Sequence, residues 1–74
     1  MTTLTNNDEL AVSLGLYAFD VTGALDLQWR PVDTFKTLSQ GSFAGASDGT
    51  IYLPSTTIKV INGSTNSITL NKVM

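Results

Sequence analysis

The feature that most constrains this chain is the alternation of apolar and polar residues in short runs. From position 25 to 30, leucine and tryptophan alternate with polar side chains, so one face of the run is apolar and the other polar. This pattern predicts a strand, which turn residues at 22–23 precede and Pro31 ends. We expect it to form a hairpin with a strand over residues 15–21.

Apolar residues also recur at every second position from 10 to 21, but their phase changes between Leu16 and Tyr17. One extra residue beside Gly15 would account for the change as a β-bulge. A helix over residues 8–14, begun by an asparagine cap, is the alternative for the first half of this stretch. The sequence favours a strand after Gly15 and leaves the choice at 8–14 open.

The second half of the chain has a less uniform pattern. Residues 33–40 are compatible with one or two helical turns capped by Asp33, and residues 41–49 with a glycine-rich loop that contains a short strand. Three further runs have strand patterns, at residues 50–53, which Pro54 follows, 56–61 and 67–73. Turn residues at 62–66 are expected to join the last two runs as a hairpin.

Together these patterns predict a mainly β fold. We expect a small antiparallel β-barrel or sandwich of five to six short strands, with at most one short helix. Residues 1–9 are polar and predict a flexible N-terminal arm, and residues 10–74 predict a single small β domain. A chain this short buries only about 60% of its unfolded surface on folding, which makes it marginal as a lone monomer.

The composition excludes several classes of chemistry. Without histidine or cysteine the chain has no Ser-His-Asp or Cys-His nucleophile system and no thiolate metal site. Its four basic residues are scattered along the sequence and its net charge is −2, which is unfavourable for binding nucleic acid. We therefore expect no enzyme activity, no cofactor, no metal and no nucleic-acid partner.

Nothing in the sequence predicts a membrane partner or a secretory signal. The N-terminus lacks the basic start and apolar core of a signal peptide. The most apolar window, residues 10–21, has twelve residues and includes Asp20, whereas a bilayer span needs about twenty.

Two sets of carboxylates are candidate sites. Asp20, in Asp-Val-Thr-Gly, and Asp48, in Asp-Gly-Thr, invite comparison with the Asp-Thr-Gly loop of aspartic proteases, but neither has that sequence. Asp20, Asp26 and Asp33 could gather around calcium, although no EF-hand spacing is present. Solvated carboxylates in turns account for both sets.

The composition favours a protein that assembles with itself or on a larger surface. Only 14% of its residues are charged, so little repulsion keeps subunits apart. Strands with open edges can also pair across chains through backbone hydrogen bonds. We predict four aromatic core or interface anchors, Trp29, Phe35, Phe43 and Tyr52. The residues predicted to tether the N-terminal arm are Leu4, Thr5 and Asn6, and deletion of residues 2–8 should weaken attachment and leave the fold intact.

The Thr-, Ser-, Asn- and Gly-rich composition without His or Cys resembles that of small bacteriophage virion proteins. One loop-and-strand run is similar in its succession of residue types to capsid decoration (cement) proteins. It extends from Gly41-Ser42-Phe43-Ala44-Gly45 through Asp48-Gly49-Thr50 to Ile58. The resemblance implies a homo-oligomer that binds a capsid lattice and stabilises the shell, in a virion assembled in the host cytoplasm. The resemblance assigns a function to no individual residue of this chain.

A second function is compatible with the same sequence. A small β-barrel could bind a peptide or a glycan through an exposed aromatic patch that includes Trp29 or Tyr52. That alternative predicts a stable monomer, whereas the assembly hypothesis predicts an oligomer.

Overall fold

A computed structural model describes all residues from 1 to 74 and contains eight strands and no helix. The strands are β1 (Thr2–Thr5), β2 (Glu9–Val12), β3 (Gly15–Val21), β4 (Leu25–Trp29), β5 (Lys36–Phe43), β6 (Ser47–Leu53), β7 (Thr56–Ile61) and β8 (Ser67–Lys72). Sheet I has the order β1-β8-β3-β6 and sheet II the order β2-β7-β4-β5. All neighbouring strands are antiparallel.

The strands of sheet I and sheet II correspond in position. Each consecutive pair, β1–β2, β3–β4, β5–β6 and β7–β8, contributes one strand to sheet I and one to sheet II, and the pairs have the same order in both sheets. The four turns within these pairs, at residues 6–8, 22–24, 44–46 and 62–66, therefore lie together and form the four-turn end of the molecule. The opposite end, the terminal end, contains the connections at 13–14, 30–35 and 54–55 and both chain termini.

A single apolar core lies between the sheets. It contains eleven buried side chains, namely Leu4, Tyr17, Val21, Leu25, Leu27, Ile51, Leu53, Ile58, Val60, Ile68 and Leu70. These residues alternate along their strands with exposed or half-buried ones, as expected for strands that bury one face. No polar or charged side chain is buried.

Asparagines hold the four-turn end together. Four of the five asparagines lie in its turns, and two of them, Asn7 (φ 71°) and Asn62 (φ 56°), adopt the left-handed conformation that asparagine tolerates better than most residues. The side chain of Asn6 accepts a hydrogen bond from the Gly63 amide (3.0 Å), and that of Asn66 donates one to the Ala24 carbonyl (3.2 Å). These bonds connect turns that are far apart in sequence.

The predicted fold class is confirmed as antiparallel and all-β, but the details differ. The chain has eight strands rather than five or six, and its two sheets are not closed into a barrel. The helical turns considered at 33–40 are wrong, because most of that stretch belongs to β5, which pairs with β4. The open choice at 8–14 is resolved in favour of a strand, β2, and β6 ends at Leu53 before Pro54, as predicted.

Both predicted hairpins are wrong for one reason. Strands β3 and β4 belong to different sheets, and so do β7 and β8. The intervening turns carry the chain across the core instead of back along the same sheet. The phase change at residues 16–17 has the same origin, since β2 faces the core from sheet II and β3 from sheet I, so no bulge is required there.

Residues 1–9 do not form an arm outside the domain. Strand β1 pairs with β8, β2 begins at Glu9, and Leu4 is part of the core with 4% of its surface exposed. The Asn7 amide donates to the Val60 carbonyl (2.7 Å), and the Val60 amide donates to the Asp8 carbonyl (3.0 Å). Removal of these residues would therefore expose the core and unpair β8, so the expectation that the fold survives without them is withdrawn.

The first prediction compares two valines of opposite exposure. Val60 is fully buried (0% exposed), whereas Val32 lies in a terminal-end connection with 85% of its surface exposed. Val60→Ala removes two buried carbon groups and leaves a cavity, so we expect a loss of about 2 kcal/mol in the free energy of unfolding. Val32→Ala should change it by less than about 0.5 kcal/mol. Urea denaturation measures both, and equal losses would contradict the core as described.

The second prediction concerns the bond between the first and last turns of the four-turn end. Asn6→Ala leaves the buried Gly63 amide without its side-chain acceptor, and we expect it to cost about 1–3 kcal/mol of stability. Asn71→Ala, at an exposed position on β8, is the matched control and should be nearly neutral. Thermal unfolding of the two variants provides the comparison, and a neutral Asn6→Ala would show that the bond is not formed.

Candidate interaction surface

The carboxylates considered from the sequence do not form a chemical site. No group of three or more His, Cys, Asp or Glu side chains is close enough to bind a metal. Asp20 and Asp26 lie in different sheets, and Asp33 lies at the terminal end. Asp20 and Asp48 are direct partners on β3 and β6, but both side chains are exposed, so no water-excluded site exists in which they could share a proton.

The surface has only shallow depressions. The larger, of about 440 Å³, lies at sheet I and is open to solvent. Its lining residues are Met1, Ala18, Phe19, Asp20, Thr69 and Asn71. Asp20 is the only carboxylate side chain among these lining residues.

The four predicted aromatic anchors occupy separate environments. Trp29 and Phe43 are half-buried and pack against the core, where the Phe43 ring lies 5.1 Å from that of Phe19. Phe35 is half-buried beneath the Arg30 guanidinium (5.4 Å from the ring centre) and the Lys59 ammonium (5.5 Å). Tyr52 is 65% exposed on β6, an edge strand of sheet I. The aromatic side chains therefore do not form one patch.

The three predicted tether residues have contacts within the fold. Leu4 is buried in the core, and Asn6 accepts the Gly63 amide. The amide and hydroxyl of Thr5 both donate to the Asp8 carboxylate, each at 2.9 Å. These contacts give all three residues a part in the fold of the chain itself.

Exposed apolar side chains concentrate at the terminal end. Leu16 and Tyr52 are direct partners on β3 and β6, and the Val73 amide donates to the Leu16 carbonyl (2.9 Å), so these three residues lie side by side. Leu14 (66% exposed) and Met74 (78% exposed) flank them. We call the set Leu14, Leu16, Tyr52, Val73 and Met74 the apolar rim, in which Leu16 is half-buried and the other four are exposed. Sequence reasoning identified only Tyr52, because the other four lie beside connections where alternation does not predict exposure.

The two ends of the molecule carry opposite charge. Five of the six acidic residues lie in the turns of the four-turn end or within two residues of them, namely Asp8, Glu9, Asp20, Asp26 and Asp48, and no basic residue does. Three of the four basic residues, Arg30, Lys36 and Lys72, lie at the terminal end, where Asp33 is the only acidic side chain. Glu9 and Lys59 are direct partners on β2 and β7. The basic residues that are scattered in the sequence thus gather at one end of the fold.

Hydrogen bonds fix two of the carboxylates at the four-turn end. Asp26 accepts bonds from the Ser42 hydroxyl (2.6 Å) and the Asn62 amide group (2.9 Å), which lower its pKa below the ordinary value of 3.8. Hydrogen bonds from Thr5 lower the pKa of Asp8 in the same way, and the bond from its backbone amide has a larger effect than the bond from its hydroxyl. Both groups therefore stay charged in mild acid.

No protein-family model, curated protein or solved structure was found to match the chain. None of its secondary-structure elements is a helix of the length and hydropathy needed to cross a membrane.

The third prediction tests the environment of Asp26. Ser42→Ala removes the strongest cause of its lowered pKa, so this pKa should rise towards 3.8, as measured by NMR titration of the carboxyl carbon. Ser39→Ala, at another exposed position of β5, is the control and should leave the pKa of Asp26 unchanged. Because the folded-state pKa is lowered, the stabilisation from Asp26 is present above its unfolded pKa and is lost as the pH falls through the folded value. Ser42→Ala should reduce that acid-dependent loss, and an unchanged titration would contradict the hydrogen bond.

Proposed function

We propose that this protein is a structural assembly subunit, in particular a capsid decoration (cement) subunit that oligomerises and stabilises a virion shell. The observation that carries the proposal is the apolar rim. The core is already complete without these side chains, so their exposure does not serve the folding of the single chain. Grouped apolar side chains that are exposed to solvent on a protein surface mark an interaction site.

The mechanism would be burial of surface rather than chemistry. Each Å² of apolar surface removed from water contributes about 25 cal/mol, before the cost of ordering the partners. A subunit that binds only the assembled shell then stabilises that shell by mass action.

The sheet edges offer a second means of attachment. Strands β1 and β6 are the edges of sheet I, and β2 and β5 are the edges of sheet II. Their unpaired backbone groups could add a strand from a neighbour. The outward positions of sheet I also carry threonines, including Thr3 and Thr69, whose hydroxyl oxygens lie 2.9 Å apart and remain exposed.

The fourth prediction tests self-assembly through the rim. Tyr52→Ser combined with Val73→Ser should weaken self-association at least tenfold, as measured by light scattering across a range of concentrations. Thr50→Ser, at an exposed outward position on the same strand as Tyr52, is the control and should associate like the wild type. Thermal unfolding should be similar for all three proteins. A wild-type chain that stays a folded monomer at every concentration would contradict the proposal and favour the peptide- or glycan-binding module.

The virion role has a separate test. Particles purified by density gradient from cells that carry the gene should contain the chain in many copies, as counted by quantitative mass spectrometry. Particles that lack it, combined with an oligomeric purified chain, would support assembly but exclude the decoration role.

A further inference from the structure

We infer that copies of this chain associate head to tail, with the basic terminal end of one copy against the acidic four-turn end of the next. The inference rests on the proposed assembly function and specifies its geometry. It follows from the opposite charge of the two ends and from the restriction of the apolar rim to one of them.

Charge complementarity selects the partner surface. A contact between two terminal ends would place Arg30, Lys36 and Lys72 opposite their own copies, and a contact between two four-turn ends would do the same with Asp8, Glu9, Asp20, Asp26 and Asp48. Both arrangements oppose like charges, which disfavours association. The head-to-tail arrangement brings basic residues against acidic ones and makes association faster and directional.

The shapes of the two ends also suit this arrangement. The turns at 22–24 and 44–46 carry small side chains, and a side chain at Gly45 would meet no atom within 4 Å, so this tip is open. Small residues permit close approach by the larger side chains of the apolar rim, such as Tyr52 and Leu14. The acidic groups surround these turns, as the basic groups accompany the rim.

Each contact of this kind is small. The backbone measures 27 × 26 × 19 Å, so an end face is comparable to or smaller than the roughly 800 Å² per partner of a standard interface. A single contact is therefore weak and sensitive to salt. Repetition on a lattice would compensate, because attachment to a common surface raises the effective concentration of neighbouring copies. Since the two contact surfaces of a copy differ, repeated contacts join copies into a ring if the rotation from one copy to the next closes on itself, and into an open row if it does not.

The fifth prediction uses two charge-reversed variants. Glu9→Lys/Asp20→Lys/Asp48→Lys makes the four-turn end basic, because three lysines then outnumber the two remaining aspartates. Lys36→Glu/Lys72→Glu makes the terminal end acidic. Each variant then has like charge at both ends, so each alone should self-associate at least tenfold more weakly than the wild type. An equimolar mixture should associate again, because opposite ends can then meet. Sedimentation velocity measures all three samples, and association of the wild type should weaken between about 0.05 and 0.5 M NaCl as the charges are screened.

Controls separate this geometry from net charge and from the wider proposal. Ser39→Lys/Gln40→Lys adds positive charge to exposed positions in the middle of β5, away from both ends, and should associate like the wild type. Thermal unfolding checks that every variant is folded. The head-to-tail inference is overturned if only one reversed variant loses association, or if neither does. The contact would then be two-fold or lie on the sides of the molecule, and the proposed assembly function would be unaffected. A monomeric wild type overturns both.

Discussion

The shared apolar core is the interaction on which the rest of the structure depends. Its side chains come from both sheets, and each sheet has only four strands, so neither could keep its apolar face from water alone. The chain therefore changes sheet six times between consecutive strands, and four of these six changes lie at the four-turn end. The asparagine-rich turns make that arrangement possible. Through Asn6 and Gly63 the first turn is bonded to the last, so the crossings support one another.

The class of fold was predictable because alternation is a local property. Leu25 and Leu27 face inward and Asp26 and Gln28 outward, as a period of two requires. The sheet that each strand joins was not predictable, because its hydrogen-bonding partner is distant in sequence. The turn at Thr22 shows the difficulty, since its backbone amide donates to the Ser67 carbonyl, 45 positions away. A pattern that is read along the chain cannot distinguish a turn back into the same sheet from a turn across the core.

The error at β5 has a comparable cause. Phe35 and Leu38 are three residues apart and Gly41 follows, which is typical of a short helix with a glycine after its end. In the fold, Gly41 serves a different purpose, because a side chain there would meet the Leu27 and Leu38 β-carbons at 2.9 Å. Packing against β4 overrides the local pattern. The apolar rim was missed for a related reason, since the exposure of Leu14 or Val73 is decided by neighbours from other strands.

The acidic end of the molecule is also the end that contains the asparagine-rich turns. Aspartate and asparagine both suit turns, because their side chains bond to nearby backbone groups and tolerate unusual dihedral angles. Four asparagines and Asp8 lie in these turns, whereas Asp20, Asp26 and Asp48 lie in strands within two residues of them. Hydrogen bonds from Thr5 and Ser42 then hold Asp8 and Asp26 in place and keep them ionised. The difference in charge between the two ends thus gives the molecule a direction, which an assembly of identical copies could use.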